Sequence, residues 1–238
     1  MISRTRMHEH VLTFRWGEVQ KGLAENPKLT HFRDERGRNW LHLCCGVNAR
    51  KKKLNPEHGI CTMEVLLESG LDLNEEAFRE GHWKATPLWY AVARGENLPL
   101  ARSLLKRGAD PNHCLWAAAW RDDTDAIRLL VDHGAELDPV DDHGMSPFLA
   151  AVGWSRFRAA EALLKAGANV DFQDAQQMTA LHYMLKKNSD KEHFRVLAAF
   201  WPRVDLKNRE GITAREIMER KRDPEFKEMA ARLSARRR

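Results

Sequence analysis

A leucine pair, two further residues and then a glycine recur along this chain, and that spacing constrains the fold more than any other feature. The motif stands at Leu104-Leu105-Lys106-Arg107-Gly108 and again at Leu163-Leu164-Lys165-Ala166-Gly167. Variants are Leu66-Leu67-Glu68-Ser69-Gly70 and Leu130-Val131-Asp132-His133-Gly134. Each reads as a helix end: the leucines face a core, and the glycine takes the left-handed conformation that closes the helix. A second motif varies around Thr-Pro-Leu-His. It stands as Thr86-Pro87-Leu88-Trp89, Ser146-Pro147-Phe148-Leu149, Thr179-Ala180-Leu181-His182 and Asn39-Trp40-Leu41-His42. Thr or Ser is a favoured N-cap, and Pro suits the first helical position. Thr86 precedes Leu104 by 18 residues and Ser146 precedes Leu163 by 17; Gly134 and Gly167 are 33 apart, as are Leu149 and His182. Each unit is therefore cap, short helix, turn, second helix, glycine stop. Such a unit cannot bury its apolar face alone, so the units must stack.

On these residues the chain resembles the ankyrin repeat family, over roughly residues 10–222. The resemblance implies an all-α solenoid of about six to seven helix-turn-helix units, roughly fourteen helices, with short β-turn fingers and a concave binding face. A single domain over 1–238 is expected. Residues 8–36 would be an N-terminal capping repeat, and 37–206 central repeats with an insertion near 48–59. Residues 207–238 would hold a C-terminal capping repeat and a terminal helix. Trp16-Gly17-Glu18-Val19 and Asn26-Pro27 fit the second half of the leading unit. Phe226, Met229, Ala230 and Leu233 share one face of the last helix.

Several units depart from the pattern. Gly70 to Gly108 is 38 residues and Gly108 to Gly134 only 26. The unit closed by Gly134 lacks its finger, since Asn112 runs straight into His113-Cys114-Leu115-Trp116. The following irregular end, Trp201-Pro202-Arg203-Val204-Asp205, lacks the expected glycine. Asn39 to Leu66 spans 27 residues, and the excess falls at Asn48–Gly59, expected to be a mobile loop dispensable for folding.

Charge is unevenly distributed. Residues 1–55 hold twelve Lys/Arg against five Asp/Glu, 110–142 two against nine, and 207–238 eleven against six. Basic ends flanking an acidic middle do not make the coherent basic face of a nucleic-acid binder. No apolar run nears the roughly 18 residues of a membrane span, and no apolar stretch follows the basic N-terminus, so neither a span nor a secretory signal is expected. Four sparse cysteines fit a reducing cytosol.

Trp16 and Trp40 are expected in the core. Trp83, Trp89, Trp120 and Trp154 fall in a finger or on inner helices by family register, where either partner contact or semi-buried packing is open. His42 and His182 stand in the motif's histidine place, for which the resemblance implies structural hydrogen bonds to neighbouring backbone. Cys44 and Cys45, although near His42, His58 and Cys61, show no paired zinc-ligand spacing and read as buried thiols. Arg50-Lys51-Lys52-Lys53 reads as a solvated loop or a contact for an acidic partner, and Arg236-Arg237-Arg238 as a basic tail. Asp122, Asp123 and Asp125 fall where an acidic helix N-terminus is expected. No phosphate loop, nucleophile elbow, dinucleotide fingerprint or metalloprotease motif occurs.

The resemblance therefore implies a non-enzymatic, cytoplasmic, monomeric protein-interaction module without cofactor, metal or small-molecule substrate. Two alternatives remain: a dedicated inhibitor or immunity-type protein that neutralises an enzyme or toxin, and, ranked lower, binding of nucleic acid or an anionic surface through the basic ends. The expected partner-binding positions are Trp83, Ala85, Trp89, Arg94, Trp116, Trp120, Met145, Trp154, Met178 and Lys186. The missing finger is expected to leave a recess that exposes Trp116 and Trp120, unless two of the tryptophans plug it. Asp141 and Asp142 border it, so an apolar knob ringed by Lys or Arg would fit.

Overall fold

The computed structural model describes residues 2–80 and 83–235; of residues 79, 80, 83 and 84 only the backbone is described. Among these residues are fifteen α-helices; fourteen fall into seven successive pairs, and the short α4 (Ala49–Lys52) lies within the second. The pairs are α1 (Arg4–Leu12) with α2 (Trp16–Glu25), α3 (Trp40–Cys45) with α5 (Pro56–Glu68), and α6 (Pro87–Tyr90) with α7 (Leu98–Lys106). There follow α8 (Cys114–Trp120) with α9 (Thr124–Asp132), and α10 (Pro147–Gly153) with α11 (Phe157–Ala166). The last are α12 (Ala180–Lys187) with α13 (Lys191–Ala198), and α14 (Ala214–Arg220) with α15 (Pro224–Ala235).

The chain divides into two compact units: Met1–Ala117 with Asp132–Ala135, and Ala118–Val131 with Glu136–Arg238. In the first, α1, α3 and α6 pack in series, and α2, α5 and α7 pack in series behind them. In the second, α10, α12 and α14 form one series and α11 packs on α13, while Phe194 meets Phe226 edge to face between α13 and α15. The motif leucines build the cores: Leu66, Leu104, Leu130 and Leu163 are fully buried. Burial of each such side chain contributes about 2 kcal/mol.

The caps fall where the sequence places them. Thr86, Ser146 and Thr179 accept from the backbone N–H three residues on. Gly70, Gly108, Gly134 and Gly167 all take positive φ, from 86 to 106°. Gly167 N–H then donates to Leu164 and Ala168 N–H to Leu163. In the sixth pair Trp201 occupies the glycine's place at φ 56°, a conformation that costs a side-chain-bearing residue about 1–2 kcal/mol. The next residue, Pro202, has no N–H to repeat the second bond.

Four fingers are built alike. Asp34, Asp141, Asp174 and Asn208 each accept, through one side-chain oxygen, from the N–H groups two and four residues on; for Asp141 the distances are 2.9 and 2.8 Å. A fifth finger is a hairpin instead, with β1 (Arg79–Glu80) antiparallel to β2 (Trp83–Lys84). The fourth helix pair has no finger, as expected: His113 sits at φ 67° and α8 begins at once.

Three expectations need correction. The leading helix starts at Arg4, capped by the Ser3 side chain, rather than at residue 8. Trp16 is 43% exposed because it opens α2 at an end with no side-chain cap. Residues 48–59 are not a plain loop: Asn48 caps a short helix, α4 (Ala49–Lys52), and Asn55 caps α5. Ala49 is buried, and a Cβ on Gly59 would lie 3.0 Å from the Phe14 ring, so this segment packs as part of the fold. The Arg236–Arg238 tail lies outside the described residues.

Candidate functional site

Two large aromatic side chains stand together on the surface of the second unit. Trp120 ends α8 and Trp154 follows α10. Their rings meet edge to face, with centroids 5.2 Å apart at 84°. They remain 55% and 37% exposed. Residue 153, one repeat of 33 on from Trp120, is glycine, so α10 presents no side chain at the corresponding place. A Cβ there would lie 3.4 Å from Met145 Cε, which brings Met145 beneath the same surface.

The turn after α10 supplies the charge. Ser155 takes φ 58° and turns the chain into α11, whose N-cap residue, Arg156, makes no side-chain capping bond. Asp122, from the preceding pair, does that work: its carboxylate accepts from Ala159 N–H at 2.7 Å. Arg156 is thereby left to lie over the Trp120 ring, its guanidinium carbon 5.6 Å from the centroid. Its Nε is buried without a hydrogen-bond partner. Lys187, at the end of α12, donates through Nζ to the Gly153 carbonyl.

The expected positions separate into groups. Trp120 and Trp154 come together, and Met145 lies against Gly153. Arg94 and Lys186 are exposed elsewhere along the helix ends, and Met178 is half-buried, its sulfur 3.7 Å from Asn208 Nδ2. Ala85 is 1% exposed, and Trp89 and Trp116 are each 8% exposed, so these three are core rather than presented. The missing finger therefore does not expose Trp116, while Trp120 is exposed. The reason is register: His113-Cys114-Leu115-Trp116 is itself a worn copy of the cap motif, 33 residues before Ser146-Pro147-Phe148-Leu149, and its last residue falls in the buried seat. The Trp83 side chain lies outside the described residues. Arg156 and Lys187 were not anticipated; Lys187 could have been found, since it stands 33 residues after Trp154.

The two motif histidines play the structural part expected. His42 Nε2 donates to the Glu75 carbonyl at 2.8 Å and His182 Nε2 to that of Ile212 at 3.1 Å. Each Nδ1 accepts from its own cap residue, at 3.2 Å. Burial lowers both imidazole pKa values. Cys44, Cys45 and Cys114 are buried, and burial raises their thiol pKa values. Among the described residues, no group of three or more His, Cys, Asp or Glu is placed to hold a metal, and no helix is long and apolar enough to cross a membrane.

Fold and surface together define a helical repeat protein with turn fingers and an exposed aromatic pair. Residues 88–174 match the family described as ankyrin repeats, in three copies. The chain is 27% identical over 188 residues to the transient receptor potential cation channel subfamily A member 1 of Drosophila melanogaster, covering 72% of this chain and 14% of that one. It is 35% identical over 127 residues to human inversin, covering 52% and 12%. It therefore spans about an eighth of the length of these curated relatives. Among solved structures it is similar to the ankyrin repeat domain of human ASB11 (19% identity, TM-score 0.73, 97% and 98% of the two chains). It is also similar to the ankyrin repeat domain of Bcl-3 (20%, 0.75, 94% and 97%). The fold is the all-α ankyrin-repeat fold, a general protein-protein interaction module, and the resemblance read from the sequence is borne out.

Proposed function

We propose that this chain is a non-enzymatic binding module: a monomeric, cytoplasmic array of ankyrin repeats that grips one partner protein through its ankyrin groove. The observation that carries the reading is the exposed Trp120–Trp154 pair. Tryptophan is a preferred energetic anchor of protein interfaces, and two copies locked ring to ring bind with little side-chain ordering left to lose. Met145, Met178 and Lys186, in the same unit, would supply further contacts, and Arg94 and the finger residue Trp83 are candidate contacts on the first unit. The buried Ala85, Trp89 and Trp116 would not touch the partner.

The test is the double substitution Trp120→Ala with Trp154→Ala. A partner captured by the wild-type chain and identified by mass spectrometry should bind the variant at least about 30-fold more weakly, the equivalent of 2 kcal/mol. The melting temperature should stay close to that of the wild type. Undiminished affinity in a folded variant would remove these residues from the interface.

A further inference from the structure

We infer that the partner presents an acidic segment, with an apolar or aromatic side chain seated on the Trp120–Trp154 pair and carboxylates answering Arg156 and Lys187. This rests on the interaction reading above and gives the partner its chemistry. Formal charge points the other way, because residues 110–142 carry nine acids against two bases. Those acids keep their charge, but Asp122, Asp123 and Asp141 are tied to backbone N–H groups and Asp125 to Arg128, whereas the two cations beside the pair hold no carboxylate among the described residues.

The acids around the pair are already engaged. Asp122 caps α11 through Ala159 N–H, and Asp123 caps α9 through Ala126 N–H at 3.0 Å. Asp141 holds its own finger closed. Asp174 does the same with one oxygen and accepts from Tyr183 Oη at 2.6 Å with the other. Asp125 pairs with Arg128. The cations are engaged differently. Neither Arg156 nor Lys187 has a carboxylate partner among the described residues; one lies on an indole face, the other on a carbonyl. A guanidinium and an ammonium beside exposed indoles are a charge-assisted donor site whose accepting anion must come from outside.

Cations beside aromatic rings are also a feature of single-strand nucleic-acid sites, but the ring geometry here disfavours that reading. One face of Trp120 lies under Arg156, and the two indoles meet at 84°, so there is no run of parallel platforms for successive bases. An acidic peptide needs only one apolar anchor between two cations.

The test selects random short peptides displayed on phage against the full chain and measures the affinities of enriched peptides. The variants are Arg156→Gln, Lys187→Gln, and Trp120→Ala with Trp154→Ala; Lys187→Gln is surface-exposed and stays informative if Arg156→Gln unfolds. Expected are peptides with Asp or Glu flanking Trp, Phe, Leu or Pro, weakened at least about tenfold by each Gln variant and more by the Trp double variant. Peptides that need the tryptophans but are neutral or basic, or that bind the Gln variants undiminished, overturn the acidic partner and leave the interaction reading standing. Peptides indifferent to both sets of substitutions overturn both readings. An empty selection overturns the linear acidic segment. Trp-dependent binding of a labelled oligothymidylate or oligouridylate, with no acidic peptide enriched, overturns it in favour of nucleic acid.

Discussion

His182 and Trp89 occupy the same place, the third residue of α12 and of α6, and both are buried. What they do there differs. His182 holds its own cap with Nδ1 and reaches the next finger with Nε2, so one side chain ties two repeats together. His42 does the same in the second pair. Trp89 has a cap, Thr86, but the pair that follows begins without a finger, so no finger carbonyl is offered to it. Trp116, in that following pair, has no finger behind it and no Thr or Ser at its cap; its Nε1 is buried without a hydrogen-bond partner. Both histidines thus stand where a cap and a following finger are present, although Leu149, between the Ser146 cap and the Asp174 finger, shows that the place also accepts an apolar side chain. Where either is missing, bulk replaces the bridge, and the two tryptophans flank the gap.

The comparison is most easily broken by restoring the motif. Trp89→His should lower stability by about 3 kcal/mol, since it removes buried ring volume and leaves Nε2 without a finger carbonyl. Chemical denaturation showing a loss under about 1 kcal/mol would mean the seat accepts a histidine without the finger. The converse change, His182→Phe, should cost about 2 kcal/mol, because Ile212 O loses its donor while the ring volume is kept. The same variant sharpens the pH behaviour. Burial holds His182 and His42 neutral below their ordinary value, so on acidification the unfolded chain takes up protons first. Stability is full above about pH 6.5 and is lost as pH falls from there through the folded values. The slope of stability against pH between about 7 and 5 should be shallower in His182→Phe than in the wild type, and an unchanged slope would assign it to other groups.

The sixth pair is regular at its head and irregular at its tail, which offers a gain rather than a loss. Trp201→Gly should stabilise by about 1 kcal/mol through relief of the left-handed backbone, read as a higher denaturation midpoint. A decrease would mean that the indole contributes more than its backbone costs. The smallest effect is expected at Trp116→Phe, within about 1 kcal/mol of the wild type, since the lost volume is offset by removal of an unpaired buried donor. A loss like that of His182→Phe would dissolve the distinction between the two kinds of seat.

Much of this fold was legible because helix stops and caps are local chemistry. Gly70, Gly108, Gly134 and Gly167 have the conformation their motif demands, and Thr86, Ser146 and Thr179 bond as caps. A finger signal is also in plain sight: Asp or Asn, then Gly or Gln three residues on, then Ser, Thr or Asn two further, as in Asp141-Asp142-His143-Gly144-Met145-Ser146. Reading it would have assigned Asp141 to its own backbone and not to a partner. The Trp pair was legible as two positions but not as one cluster. Its assembly depends on Gly153 being bare, on Ser155 turning left-handed and on Asp122 reaching 37 residues forward to cap α11. Those are contacts between repeats, and periodicity within a repeat does not encode them.

That forward reach has a consequence for synthesis on the ribosome. Asn74 accepts from Asp110 N–H, Asp122 from Ala159, Asp138 from Asn169 and Asp171 from Arg203. In every case the side-chain acceptor is translated before the backbone donor it will hold. At about 5–20 residues per second, the 37 residues between Asp122 and Ala159 emerge in roughly 2–7 s. Each nascent helix thus leaves the exit tunnel toward a neighbour that already displays its docking groups, and the direction of translation coincides with the direction in which the rungs are written.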